Sequence, residues 1–563
     1  MACQGEPAKN DADVIVVGAG IAGISAALEA AAAGARVLVI ETSSVPGGHA
    51  VRAGGFALVG TPLQVRKGLT DTPDIAYQDL MAWGEDADPG WVRAYVENSR
   101  TEVYDWLISL GVKFAVVLDT PEDSVPRFHF ARGGTAVHAV VPMLRAAYRN
   151  ANIRFVMNSG AERLVRSGQA VTGIEIRNSR SGARTILRAP SVVLATGGFQ
   201  SNLDMVRANW RTGGPNAAPE PTQLLIGAGH EATGTGIKLA KEAGAALSRM
   251  DHQVIFVNGL TDPRKRTHGL NTQNPAAIWV NADGRRFVNE LANTKTVEAA
   301  ALALSPQTHW LIFDAQGRRR LRIRDTIWLN PKTIVREILD NPAVVHKAET
   351  IDELAAAAEL PAGTLRNTIE HYNAAVASGE DFEFRRFAID SPGPKPIAID
   401  QPPFYAMQLF PMTRKSMGGL AIDATARVLD QAGIPIPGLY AAGELTGVAG
   451  INGSHGGSGT FLGPCVFTGR IAGRSAVPDV RDTAEFDADT KIGPAAGQML
   501  GVEQLAALLE QPRPGYWHFE QAHATVLERS DACERCHSSA WPTAPATGAA
   551  QTLAQLDSCT ECH

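Results

Sequence analysis

The sequence predicts an α/β chain: a parallel-sheet domain interrupted by an α+β insertion and followed by a short, mostly helical tail. Three observations predict it. Residues 13–23 read as an apolar strand that runs into a glycine-rich turn and an alanine-rich helix. Two later apolar strands, at 190–194 and 438–441, end at glycines in the same way, and the stretch 512–563 holds two Cys-x-x-Cys-His runs.

At 563 residues, with 45% hydrophobic and 20% charged positions, the chain has material for several packed domains. A formal charge of -6 and the lack of an extended Lys/Arg tract argue against nucleic acid as a partner. Small organic molecules and redox proteins are the expected partners, and a homo-oligomer is left open. The most apolar stretch, 14–40, is broken by Gly18, Gly20, Gly23, Glu29, Gly34 and Arg36, so it reads as strand-turn-helix-strand, and no transmembrane segment is expected.

Taken in order, 14–17 is the first strand, 21–33 a helix and 35–40 a second strand that ends at Glu41, which makes one β-α-β unit. Gly18 allows the tight turn, Gly20 and the neighbouring Ala22 let the backbone approach a pyrophosphate, and Gly23 packs helix on strand. The phosphates then sit at the helix N-terminus. Glu41, followed by Thr42, lies where an acid would accept hydrogen bonds from a ribose. The pattern indicates a dinucleotide and leaves FAD and NAD open.

The strand ending at Ala195-Thr196-Gly197, the strand ending at Glu444, the glycine-rich loop 447–463 and the helix carrying Gly469 and Gly473 complete the same Rossmann-like domain. Its expected first part is 11–250 and its second part 410–476. Between them, 251–409 mixes short strands such as 277–281 with helices at 350–358 and 363–378, which reads as a cap domain. Residues 477–511 read as a linker to the tail at 512–563.

In the tail, Cys533 and Cys536, then Cys559 and Cys562, are spaced to take thioether bonds to haem c, with His537 and His563 placed as iron ligands. His518 and His523 are candidates for the remaining iron positions. Their spacing of five turns them apart on a helix, which suits two covalent haems better than one. A four-thiolate zinc site is the structural alternative, but it has no need of a histidine after each pair. No signal peptide precedes Asp11, although covalent haem attachment takes place outside the cytoplasm. The given chain therefore reads as a mature or trimmed form of a protein of the periplasm or another exported bacterial compartment.

Gly18 to Gly23, Glu41, Gly47-Gly48, Gly54-Gly55, Ala195 to Gly198, the 232–236 glycine turn, the 281–290 segment, Ser416 to Gly419 and Ala442 to Glu444 together resemble the fumarate reductase/succinate dehydrogenase flavoprotein family. The likeness is closest to its flavocytochrome c branch and covers roughly 11–476. It implies FAD, a flavin domain interrupted by a mobile cap, substrate between the two, and flavin contacts from Ser458 in the loop 452–459. His49 stands near the position of a covalent flavin histidine in that family, though its spacing to Gly54 is one residue short.

The resemblance breaks at the chemistry. Where the fumarate-reducing branch is expected to carry its Arg proton donor, this chain has Thr294, followed by Lys295. Carboxylate-binding family positions fall at Phe256 and Ser454, and a paired-histidine run becomes Arg414-Lys415. The loop 452–459 instead resembles the tricarballylate and ketosteroid dehydrogenase branch. Candidate catalytic groups are therefore Lys415, Arg414, His455, His252 and Lys295: cations that could hold charge on substrate or flavin, and imidazoles that titrate near neutrality. The expected activity is a flavocytochrome c-type dehydrogenase of a small organic substrate that passes electrons through haem to an external carrier. Reduction of an activated alkene by the reverse current, and a non-catalytic electron-transfer subunit, are the alternatives.

Overall fold

The computed structural model describes residues 10–134, 136–213, 217–324, 331–387 and 396–479. The expected haem ligands and almost all of the expected linker lie outside the described residues. The chain divides into two units, one built from residues up to 202, 229–253 and 416 onward, the other from 203–228 and 254–415. The second unit thus also takes 203–228, a segment that the sequence-based boundaries left in the nucleotide domain.

The first unit is organised by a six-stranded sheet. In chain order its elements include β1 (Val14–Val17), α1 (Ile21–Ala32), β2 (Val37–Ile40), α2 (Pro73–Gly84), β3 (Ile153–Val156), β4 (Ser191–Leu194), β5 (Arg427–Leu429), β6 (Pro435–Ala441) and α3 (Leu462–Ser475). The strand order is β5-β6-β4-β1-β2-β3. Every neighbour pair is parallel except β5 with β6, and β1 runs in register with β2 (Val14 beside Val37) and with β4 (Val14 beside Ser191). β1, β2 and β4 are buried along their whole length, which is why they read as unbroken apolar runs rather than alternating ones. Three segments far apart in the chain therefore meet side by side.

α1 and α3 pack against each other unusually closely. A Cβ at Gly469 would lie 2.3 Å from the Ala22 carbonyl oxygen, and one at Gly473 would lie 2.3 Å from that of Ala26. Arg470 ties the pair at their edge by an ion pair to Glu29 at 2.6 Å.

The second unit is α+β. Its sheet runs in the order Leu225–Ile226, Lys265–Gln273, Gln253–Asp262, Phe404–Ser416, His309–Phe313, Ile278–Val280. Both faces are covered, and the strand His309–Phe313 shows how. Leu311 and Phe313 join one core with Leu270, Tyr405 and Met407, while Trp310 and Ile312 join another with Leu354, Leu365 and Ile369 of the helices Ile351–Ala357 and Ala362–Ser378. Among the described residues no helix is long and apolar enough to cross a membrane.

Candidate functional site

In the first unit the turn after β1 behaves as its glycines require. Gly18 has φ +105°, and a Cβ there would meet the Ala195 carbonyl oxygen at 2.4 Å, while a Cβ on Gly23 would meet that of Gly18 at 1.9 Å. Gly20 differs, because nothing lies within 4 Å of where its Cβ would stand. That open face is where a ligand's backbone-hugging group fits. Gly47 and Gly48 close the turn from the other side: Gly47 N–H donates to the Ala19 carbonyl at 2.8 Å, and a Cβ on Gly48 would come within 3.1 Å of Gly20 Cα.

Polar groups surround this turn. Glu41 is buried at the end of β2 and accepts hydrogen bonds from Ala19 N–H and Ser43 N–H, both at 2.8 Å; burial raises its pKa against the lowering effect of those bonds. Thr42 beside it is exposed. Among the described residues, Thr196 Oγ1 and Glu231 Oε1 are buried with no hydrogen-bond partner, and burial, aided by Glu41, pushes the Glu231 carboxyl up to about 7. Gly197 has φ +76° and open space at its Cβ position. An open glycine cradle beside unmatched polar atoms is what a dinucleotide with hydroxyls and phosphates would complete.

The other positions expected to meet the cofactor also lie in the first unit. His49 lies against Gly229, whose Cβ would stand 2.9 Å from the imidazole. Gly54 faces the Phe128 and Phe130 rings, and Gly55 lets its strand approach the His129 carbonyl. Glu444 Oε1 accepts from Ser416 N–H at 2.9 Å, Ser416 Oγ accepts from Phe199 N–H at 3.0 Å, and Ser458 N–H donates to Glu122. Ala22 and Ala195 are buried at the base of the cradle.

The candidate chemical groups separate. His252 and His455 meet at one acidic turn that follows α2. His252 Nε2 is 2.7 Å from Asp86 Oδ2 and its Nδ1 is 2.9 Å from Asp251, Ser454 Oγ donates to Asp86 at 2.8 Å, and His455 Nε2 is 3.5 Å from Glu85. Burial alone would raise the Asp86 carboxyl, but the hydrogen bonds from His252 and Ser454 hold it below the usual range. Arg249, at φ +54°, donates to the Asp86 carbonyl at 2.5 Å and steadies the same turn. Sequence reasoning missed Asp86, because only the fold brings it to residues 166 and 368 positions away.

Arg414, Lys415 and Lys295 belong to the second unit. Arg414 donates to the Gly227 carbonyl at 2.7 Å and lies over the Phe256 ring with its guanidinium 5.6 Å from the centroid. Lys415 follows it in the same strand, half-buried. Lys295 stands in the first turn of the helix Thr294–Leu302, whose N-terminus is capped by the Asn293 side chain on Thr296 N–H at 3.0 Å.

That helix forms one wall of a cavity of about 410 Å³ inside the second unit, shared by Phe256, Trp279, Glu290, Thr294 and Glu298 among others. Glu290 is held by two arginines, with Arg286 on both its oxygens at 2.8 and 2.9 Å and Arg386 at 3.1 Å, and Arg286 also pairs with Asp381 at 2.9 Å. Arg286 and Glu290 of the 281–290 segment thus belong to a buried ion-pair frame, with Glu290 on the cavity wall.

The family model described as FAD binding domain matches residues 13–462. The chain belongs to that FAD-binding family. Relatives agree. The chain is 34% identical over 475 residues to a fumarate reductase (cytochrome) of Shewanella frigidimarina, covering 82% of this chain and 76% of the relative. It is 31% identical over 549 residues to a KsdD-like steroid dehydrogenase of Mycobacterium tuberculosis, covering 84% and 96%. Its structure is similar to the open conformation of a flavocytochrome c3 fumarate reductase, at 31% identity and a TM-score of 0.67 over 84% of this chain and 79% of that one. The protein is therefore an FAD-dependent oxidoreductase. FAD is the dinucleotide of this family, which decides between the FAD and NAD that the glycine pattern left open.

Proposed function

We propose that the chain is a flavocytochrome c-type dehydrogenase that oxidises a small organic substrate at FAD and passes the electrons through two covalent haem c groups to an external redox carrier in an exported bacterial compartment. The observation that carries this reading is one polypeptide that joins an FAD-binding fold to the runs Cys533–His537 and Cys559–His563. When bound, FAD accepts hydride and releases electrons one at a time; the protein's own residues do the rest.

Gly20 and the N-terminus of α1 hold the pyrophosphate, and Glu41 the ribose. Glu444 and Ser416 fix each other beside Gly198, where a Cβ would come within 2.3 Å of Ser416 Oγ. The cap unit takes the substrate. Thr294 on its cavity wall cannot donate a proton as a cationic side chain would, which favours dehydrogenation over alkene reduction. His455, set at the Glu85–Asp86 turn, supplies the base, His252 is held by carboxylates on both ring nitrogens, and Lys415 holds charge.

The alternative direction, reduction of an activated alkene with electrons fed through the haems, is supported by the named fumarate reductase relative. Anaerobic addition of substrate to oxidised enzyme, followed at the haem Soret and α bands, separates the two. Haem reduction is expected. Reoxidation of dithionite-reduced enzyme by an alkene, with no haem reduction by any saturated candidate, would reverse the direction. A pyridine haemochrome assay is expected to find two haems per chain; zinc in place of haem overturns the electron path.

A further inference from the structure

Three of the four residues in 456–459 are glycines, so this turn has little side-chain packing to hold its shape and relies on hydrogen bonds to fix it. The Thr460 hydroxyl donates to the Gly457 carbonyl at 2.8 Å, and Ala57 N–H donates to that of Gly459 at 3.0 Å. The Ser458 N–H is taken by the side chain of Glu122, 336 positions earlier, which also lies over Gly457, where a Cβ would stand 3.3 Å from Glu122 Cγ. Glu122 is itself firmly mounted. Its neighbour Asp123 pairs at 2.9 Å with the buried Arg127, which also holds Asp71 by two bonds at 2.9 Å and Asp79 of α2 at 2.5 Å. Ser124 returns to Asp79 with its N–H and hydroxyl, at 3.0 and 2.7 Å.

The helices place this turn relative to the glycine cradle. Gly469 meets Ala22 and Gly473 meets Ala26, so α3 and α1 run in the same direction. Gly469 lies seven residues past the start of α3 and Ala22 one past the start of α1. At 1.5 Å per residue, α3 therefore begins roughly 9 Å beyond the N-terminus of α1. The turn 456–459 stands just ahead of that point. Glu41, at the end of β2, lies on one side of β1 in the sheet, and β6, which leads to α3, lies on the other. The turn thus belongs to the half of the site away from the ribose.

We propose that Glu122 is a positioning residue for the flavin: by accepting the Ser458 N–H it fixes the backbone of 456–459 at the isoalloxazine end of FAD. This deepens, and rests on, the reading that FAD lies with its pyrophosphate at α1 and its ribose at Glu41. A backbone N–H that donates to a carboxylate makes a charge-assisted bond, stronger than the neutral ties beside it, and the braced 119–126 loop gives that bond a fixed origin.

The full-length protein is freed of flavin and titrated with FAD, and the visible circular dichroism of the bound flavin is recorded. Glu122→Gln keeps the reach and an acceptor oxygen, so it should bind FAD within about threefold of the parent and keep the parent's flavin spectrum. Glu122→Asp keeps the charge but is one methylene short, and Glu122→Ala keeps neither; both should bind FAD about tenfold more weakly and alter the flavin spectrum in the same way. Urea midpoints of the apoproteins should stay at the parent's value, since the contact acts on the cofactor and the fold stands without it. If Glu122→Gln behaves as Glu122→Ala does, if Glu122→Asp behaves as the parent, if Glu122→Ala binds FAD as well as the parent or better, or if its apoprotein midpoint drops, the proposal falls. Neither haem nor substrate enters the measurement, so it is independent of the direction of electron flow. Loss of FAD affinity in Gly20→Ala with none in Glu122→Ala keeps the cofactor reading and removes this one, whereas a parent protein that takes up no FAD removes both.

Discussion

Gly20 and Gly23 occupy one turn yet face different constraints. Gly23 has the Gly18 carbonyl oxygen 1.9 Å from where a Cβ would be, in rigid backbone, so Gly23→Ala must push α1 off β1. A loss of roughly 3 kcal/mol is expected, at the upper end of what overpacking costs. Gly20 has ordinary extended dihedrals, φ -74° and ψ 177°, and open space at its Cβ position, so Gly20→Ala should leave the apoprotein within about 0.5 kcal/mol of the parent. Its FAD affinity should nonetheless fall by at least about tenfold, because the new methyl stands where the cofactor comes in. Urea unfolding of the apoproteins and flavin titration check both halves, and equal FAD binding by Gly20→Ala would remove the cradle from the site. This much of the site was legible in the sequence because each glycine's task depends on neighbours a few residues away. Asp86 was not legible, because nothing local marks an acid that will face His252, 166 positions on.

At the scale of elements, the strand Phe128–Ala131 shows how a buried histidine couples stability to pH. His129 is fully buried, with Nδ1 2.5 Å from the Arg127 carbonyl and Nε2 2.7 Å from Thr61 Oγ1. A carbonyl only accepts, so Nδ1 carries the hydrogen and Nε2 accepts from the threonine that caps the short helix Pro62–Arg66. Burial pushes this imidazole down to about 4, even though the backbone bonds work to raise it. The folded protein therefore takes up this proton less readily than the unfolded chain, whose histidine titrates near 6.5. The contribution is complete above about pH 6.5 and is lost as pH falls toward 4, amounting to roughly 3 kcal/mol. Urea midpoints across that window should decline, and His129→Gln should flatten the decline. An equally steep fall in the variant would show that other groups dominate; His309, buried and pushed down to about 3, contributes in the same direction. The helices and strands themselves were well marked by periodicity: 363–378 was expected and Ala362–Ser378 found. The capture of 203–228 by the second unit was not, since its strand Leu225–Ile226 joins a sheet whose partners lie up to 187 residues on.

For the whole molecule, the division into a nucleotide unit and a cap inserted within it was legible because the same strand-to-glycine pattern occurs three times. β4, beside β1 at the centre of the sheet, and β6 next to it lie far downstream of β1 in the chain, and this order has a kinetic cost. The central sheet cannot close until the residues of β6 have been made, 427 positions after Val14. At a synthesis rate of about 5–20 residues per second, the apolar face of β1 and α1 waits roughly 20–85 s for its partners. Long-range parallel pairing is slow in any case. A nascent chain arrested before Pro435 should thus be protease-sensitive across 14–40, and resistance there should appear only once Ala441 has left the ribosome. During that interval the chain depends on holding factors.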